Sequence, residues 1–458
     1  MSRSSSRLLL RTITSSLQPS SSVLPRGFCL LSSARTSGNL SSLHYAGLLT
    51  QPAGLLNIRY QSSSAATLLD KNVSASTSKS KSSTAADDFP FPVKRVKFKT
   101  CKEVYQAQIQ TGELRKPVDG IEVDVGYIDT GFPDNYGTSN YAGLFPTVLC
   151  LHGAAGSHKD MADVIRVLAA RGARVLCPNF PGVGETPMDE DYVYKHTTIE
   201  NNYFTLDFLS ALGVRHVDLV VSFSCGCYTA VPLAVSTRFP IGGLAMLQIA
   251  GHRVYKALKP YWVLKTVVGA MKVPIVRKIL NPVSLVIMKM TGWRHISGID
   301  TPYIMGLVTT GVPFDSYQKV SKELPFHRIP LLLSYSQDDK FMDAHISQEY
   351  AEMVGIPKDD LTIYDEGGQI YQRGKMVTLE DDKYLRGIVF RKGGHYAQRR
   401  EPSNSLLLQN VCHLFDFIMR KKAERRTDGE RYMAEMAAQR ARTKTLPPPN
   451  FQTLVQQR

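Results

Sequence analysis

Residues 217–231, VDLVVSFSCGCYTAV, run from an apolar strand through Ser222-Phe223-Ser224-Cys225-Gly226 into a stretch of helical character. Strand, sharp turn and helix in immediate succession is the context of a nucleophile elbow, in which a strained turn holds a serine hydroxyl above the sheet edge. The residues two before and two after the serine must be small, because strand and helix approach each other there. Ser222 and Gly226 meet that need, with serine where glycine is usual. Ser224 begins the one Ser-x-Gly of the whole sequence. The competing reading of these five residues is a serine-rich turn that merely opens a helix. Pro232 falls inside the expected helix, where a proline costs about 3 kcal/mol unless the helix is kinked or short.

Three further segments complete a possible constellation. In TVLCLHGAAGS, residues 147–157, a buried strand ends at His152-Gly153, so that a loop can present the amide of Ala154 beside that of Cys225. Two such donors form an oxyanion hole, and deleting one costs roughly 10²–10³ in rate where this has been tried. His152 itself reads as a packing residue. In VFRKGGHYAQRREP, residues 389–402, His395 follows a strand and a Gly-Gly turn and precedes the last helix. In PLLLSYSQDDKFMD, residues 330–343, a buried strand ends in Asp338-Asp339. Asp339 is preferred to Asp338 as the acid because it precedes an apolar residue, Phe341, that would anchor the loop. The order Ser224, Asp339, His395 is the chain order of serine, acid and histidine in such folds.

Working outward, short apolar runs at 121–128, 147–151, 174–177, 218–221, 244–249, 330–334 and 387–390 alternate with helical stretches such as 160–170. That alternation argues an α/β fold around a mostly parallel sheet, with ligands at the carboxyl ends of the strands. About eighty residues of helical character separate the runs ending near 250 and starting at 330, too many for one crossover, and read as an inserted lid over 252–327. Residues 403–420 form an amphipathic closing helix, and 421–458 a charged tail that breaks at Pro447–Pro449.

The net charge of +15 is unevenly placed. Residues 1–69 hold six arginines and neither lysine nor acid, with abundant serine, the composition of an organelle transit peptide. Residues 1–65 are therefore expected to direct the chain to mitochondria, the alternative being a basic tail on a cytoplasmic protein. Residues 66–92 are a Ser/Thr/Lys-rich linker that cannot bury a core. Seven scattered cysteines imply no disulfide framework. Gly182-x-Gly184 lacks the third glycine of a dinucleotide fingerprint, Cys225-x-Cys227 lacks partner ligands, and no cofactor or metal is called for. From Leu219 to Ile299 there is no acidic residue, while Lys256, Lys259, Lys265, Lys272, Arg277, Lys278, Lys289 and Arg294 interleave with apolar side chains. Such a surface suits an anionic membrane or an acyl substrate with a charged head, and the plainer reading is a solvated charged face. Nothing suggests nucleic acid.

LHGAAGSHKDM, NFPGVGETP, SFSCGC, SYSQDDKFM and FRKGGHYAQRREP together resemble the α/β-hydrolase superfamily over about residues 93–420. Within it the chain is similar to a nematode α/β-hydrolase family of unknown function. The resemblance implies a core in two parts, 93–251 and 328–420, around the lid. It implies Ser224 as nucleophile, His395 as general base, Asp339 as its acid, and the amides of Ala154 and Cys225 as oxyanion hole. A serine nucleophile implies acyl transfer, expected as hydrolysis of a carboxylic ester or thioester on a small-molecule or lipid substrate. The alternatives are an acyltransferase with the same triad and a non-catalytic scaffold that binds a lipid or a partner protein. Import predicts that the protein purified from its native source begins near residue 60 by N-terminal sequencing. An intact Met1 or Ser2 would overturn the targeting expectation.

Overall fold

The computed structural model describes residues 89–445, apart from 111, 113–118, 132–145, 155, 190, 237–238, 291–297, 299 and 379. The expected transit segment, most of the linker and Pro447–Pro449 lie outside the described residues, as does Arg294. The strands are β1 (Val93–Thr100), β2 (Ile121–Asp129), β3 (Thr147–Leu151), β4 (Arg174–Pro178), β5 (Leu219–Phe223), β6 (Leu244–Leu247), β7 (Leu331–Ser336), β8 (Leu361–Tyr364), β9 (Ile370–Gln372) and β10 (Leu385–Phe390). They form one sheet in the order β1-β2-β4-β3-β5-β6-β7-β10-β8-β9. Pairing is parallel from β4 through to β8, and antiparallel only where β1, β2 and β9 flank that centre.

The central strands are buried on both faces, which is why they read as continuous apolar runs rather than alternating ones. Helices cover both sides. In chain order they are α1 (Lys102–Gln110), α2 (Ala162–Ala170), α3 (Thr198–Ala211), α4 (Cys227–Val235), α5 (Tyr261–Met271), α6 (Pro274–Met290), α7 (Thr301–Thr310), α8 (Phe314–Glu323), α9 (Ala344–Met353) and α10 (Ser403–Thr445). Val164, Ile165 and Leu168 of α2 pack with Leu407, Val411 and Leu414 of α10 against one face. Phe204 and Phe208 of α3, Val231 of α4 and Ile346 of α9 pack against the other. Helices α5 to α8 all fall between β6 and β7, so the 252–327 stretch is helical, with a small core of its own around Val268, Met271, Tyr303 and Leu307.

One expectation changes. Helix α10 does not end at 420 but runs to Thr445, because 421–445 is rich in Ala, Arg, Glu and Met, all good helix formers, and Glu424 pairs with Arg420 and Lys421. The span between Asp339 and His395 is long because it holds α9 and the added edge strands β8 and β9, joined by a turn in which the Asp365 carboxylate accepts from the amides of Gly367 and Gln369.

Asp218 fixes the sheet centre to the closing helix. One carboxylate oxygen accepts from the Thr147 amide at the start of β3 (2.9 Å), and the other meets His216 Nε2 (3.0 Å) and Lys422 Nζ of α10 (2.6 Å). Burial pushes its pKa up, but those three donors more than offset it and hold the carboxyl below its ordinary 3.8. Asp218→Ala leaves the buried Thr147 amide without its partner and is expected to cost about 1–3 kcal/mol in urea unfolding at pH 7. A depressed pKa stabilises fully above the unfolded value and progressively less as pH falls through the folded one, so the gap between wild type and variant should close in acid.

Candidate active site

Strand β5 ends at Phe223, and Ser224 follows with φ of 50° in the left-handed region that L side chains rarely occupy. A 3₁₀ turn over Ser224–Gly226 then feeds α4. Gly226 has an ordinary φ of −57°, so space rather than backbone angle requires the glycine: a Cβ there would lie 2.5 Å from the Leu151 carbonyl oxygen and 2.9 Å from that of His152. Gly153 closes the same contact from the other side, since its Cβ would lie 3.0 Å from that of Ser224. Serine at 222 fits because its hydroxyl donates to the Ala245 carbonyl of β6 at 3.3 Å. Helix α4 continues past Pro232 to Val235 and ends there, a short helix of nine residues.

The structure brings Ser224, His395 and Asp339 into one buried hydrogen-bonded chain. Ser224 Oγ lies 2.9 Å from His395 Nε2, and His395 Nδ1 lies 2.7 Å from Asp339 Oδ2. Asp339 Oδ1 accepts from the amides of Phe341 (2.7 Å) and Met342 (3.1 Å). Burial raises the Asp339 pKa, but the His395 imidazole and the two amides outweigh it, and the carboxyl is held below its ordinary value. Asp338 acts on the backbone instead. Its Oδ1 accepts from the amides of Gly393 (3.0 Å) and Gly394 (2.7 Å), fixing the turn that presents His395. The rings of Phe223, Phe341 and Tyr396 surround the imidazole at centroid distances of 5.4, 5.3 and 5.4 Å.

His152 ties two loops together. Its Nδ1 donates to the Gly153 carbonyl (2.8 Å) and its Nε2 accepts from the Phe180 amide (3.2 Å), with burial holding the pKa down to about 4. Ala154 and Cys225 stand on the two facing loops. Burial raises the Cys225 thiol pKa, while the Tyr255 hydroxyl and the amides of Ala154 and Cys225 itself act on the sulfur in the opposite sense.

Two narrow cavities meet at Gly153, Ala154 and Cys225, each with room for a water-sized group, about 20 Å³. The first is mainly apolar and is lined by Ser224 and His395 together with Tyr255, Leu258, Met305 and Thr309 of the inserted segment. The second carries His196, Asn201 and Thr229 beside Phe180, Ile304 and Val308. Burial lowers the His196 pKa to about 3, so the ring is neutral, and its Nε2 has no partner among the described residues. Sequence reading misses Tyr255 and His196, since a lone tyrosine and a lone histidine carry no motif. Gly182, at φ of 78°, packs against Ile304 of α7, where a Cβ would lie 2.6 Å from its Cδ1, which places that loop beside the second cavity.

The basic surface expected over 252–327 is smaller than the composition suggests. Arg277 is buried, its guanidinium stacked 3.5 Å from the Tyr192 ring and 5.1 Å from that of Tyr303. Lys256 Nζ donates to the Asp339 carbonyl, and Lys259 lies 3.7 Å from Asp343.

Residues 97–416 match the model of a family described as "Alpha/beta hydrolase of unknown function (DUF1057)". The chain belongs to this family. The mostly parallel sheet is thus an α/β-hydrolase sheet. No curated protein matches the chain. Among solved structures, it is similar to a thermophilic esterase from Thermogutta terrifontis (14% identity over 71% of this chain and 99% of that one, TM-score 0.45). It is also similar to naproxen esterase from Bacillus subtilis (14%, 71% and 93%, TM-score 0.41) and to the enol-lactonase of Burkholderia xenovorans (13%, 64% and 96%, TM-score 0.42). In this fold the elbow contact sets the geometry, so Gly226→Ala should force β3 and β5 apart. A melting temperature several degrees below wild type is the expected result.

Proposed function

We propose that the protein is a serine hydrolase of carboxylic esters or thioesters. The observation that carries this reading is the buried chain Ser224 Oγ to His395 Nε2 at 2.9 Å and His395 Nδ1 to Asp339 at 2.7 Å, set on a strand, turn and helix. His395 Nε2 takes the hydroxyl proton as Ser224 Oγ bonds to the substrate carbonyl carbon. The oxygen that becomes negative sits at the amides of Ala154 and Cys225, residues that line the cavity beside Ser224. The tetrahedral species collapses, the carbon–oxygen or carbon–sulfur bond breaks, and His395 returns the proton to the leaving group. Water, activated by the same imidazole, then splits the acyl-enzyme and restores the serine. Asp339 stays ionised throughout and stabilises the imidazolium, which its depressed pKa suits.

The two cavities suit the two halves of such a substrate. The one beside Ser224 is placed for the acyl group, and the one with His196 for the leaving group. Their narrowness restricts unaided access to small groups. Transfer to an acceptor other than water would use the same residues. The arginine-rich first 65 residues support a mitochondrial setting for this activity.

A fluorophosphonate probe, which phosphonylates activated serines with loss of fluoride, should label wild type and fail on Ser224→Ala. Asp339→Asn should slow ester turnover by about 10⁴ while leaving the fold intact by circular dichroism, because it removes the charge that holds the imidazole in register. An unlabelled wild type would sink the hydrolase reading in favour of a non-catalytic scaffold.

A further inference from the structure

The two buried residues of helix α6 are polar, Arg277 and Asn281, with Leu280 partly buried between them against the small core of the inserted segment. Each of the two has a partner: Arg277 stacks on Tyr192 and Tyr303, and Asn281 Nδ2 donates to Asp300 Oδ1 at 2.7 Å. Its outer face carries Ile275, Ile279, Val283, Val286, Ile287 and Met290, which are 54–81% exposed. Their spacing of three and four residues places them in one stripe along the helix. Trp262 of α5, 72% exposed, and Val273 at the α5–α6 junction add exposed apolar side chains in the same inserted segment. Among the described residues nothing covers it. Single exposed apolar side chains are ordinary on a protein surface, but a stripe this long marks an interaction face.

The charge at its rim says what the partner is. Lys265, Lys272, Lys278 and Lys289 are all exposed, and no acidic residue occurs between Asp218 and Asp300. Asp218 is bound to α10, and Asp300 turns inward to Asn281 and Tyr192. An aliphatic and tryptophan face rimmed only by lysine is the composition of a helix lying in the interface of an anionic bilayer. We infer that α6, with Trp262 of α5, docks the protein on an anionic membrane surface. The docking helix belongs to the same inserted segment that supplies Tyr255, Leu258, Met305 and Thr309 to the cavity lined by Ser224. No helix among the described residues is long and apolar enough to cross a membrane, and the contact is therefore peripheral.

The full chain is sedimented with phosphatidylcholine vesicles that contain or lack phosphatidylglycerol, at low and high salt. Wild type should bind the anionic vesicles at least about tenfold better than the neutral ones at low salt, and lose that preference at high salt. The triple variant Ile279→Ser, Val283→Ser and Ile287→Ser should bind anionic vesicles about tenfold more weakly with unchanged melting temperature, because the replaced side chains face outward. Lys272→Glu, Lys278→Glu and Lys289→Glu together should abolish the anionic preference. The N-terminal arginines are present in every protein compared, so they cannot produce the differences between wild type and the variants. Both tryptophans of the chain, Trp262 and Trp293, lie in the inserted segment, and brominated lipid should quench the fluorescence of wild type. Wild-type vesicle binding by the triple-serine variant would overturn the inference. So would light scattering that shows a wild-type dimer without vesicle affinity and a monomeric triple-serine variant, which would assign the face to a second copy of the chain.

Discussion

The close approach of β3 and β5 at their carboxyl ends is the constraint on which the remaining geometry depends. The chain passes from β3 to β4 on one side and then returns to β5 on the other, so the loops leaving β3 and β5 diverge around a crevice at the switch in strand order. Gly226 against the Leu151 carbonyl and Gly153 against Ser224 hold that crevice shut to within van der Waals distance. The left-handed backbone of Ser224 follows, since the chain must reverse from strand to helix within three residues. A methyl group at either glycine would widen the crevice and separate the amides of Ala154 and Cys225.

Electrostatics at the crevice depend on which buried groups have partners. His152 bonds only to the backbone, and burial leaves its pKa depressed and its ring neutral; His196 has a depressed pKa and a neutral ring as well. His395 faces a carboxylate that two amides and the imidazole itself keep ionised inside the protein. A buried carboxylate without those contacts would take up a proton rather than bear the desolvation cost. The two neighbouring acids are thus complementary, Asp338 shaping the glycine turn and Asp339 holding the ring.

The elbow is legible because its chemistry is local. Strand, small residue, serine, small residue and helix are consecutive in the chain, and the choice of Asp339 over Asp338 rests on an apolar neighbour that does lie against the imidazole. The edge strands β8 and β9 are not legible, since runs as short as LTIY and IYQ gain their structure from pairing with β10 and with each other. The length of α10 escapes a reading of composition because charge density alone suggests an unstructured tail, whereas Glu424 and its basic neighbours support a helix. The fit of Ser222 cannot be read either, as it depends on the Ala245 carbonyl of a strand more than twenty residues away.

Helix α6 shows a different limit of sequence pattern. Periodicity identifies two faces on a helix and says nothing about which one turns inward. The usual assumption, apolar side in, holds when the body offers only apolar surface. Here the body offers the rings of Tyr192 and Tyr303 and the carboxylate of Asp300, and these accept a guanidinium and an amide that would otherwise be costly to bury. Once Arg277 and Asn281 are fixed inward, the aliphatic stripe has only one direction left to face. Apparent basic character in the sequence therefore overstates the positive surface by Arg277 and understates the apolar one by six side chains.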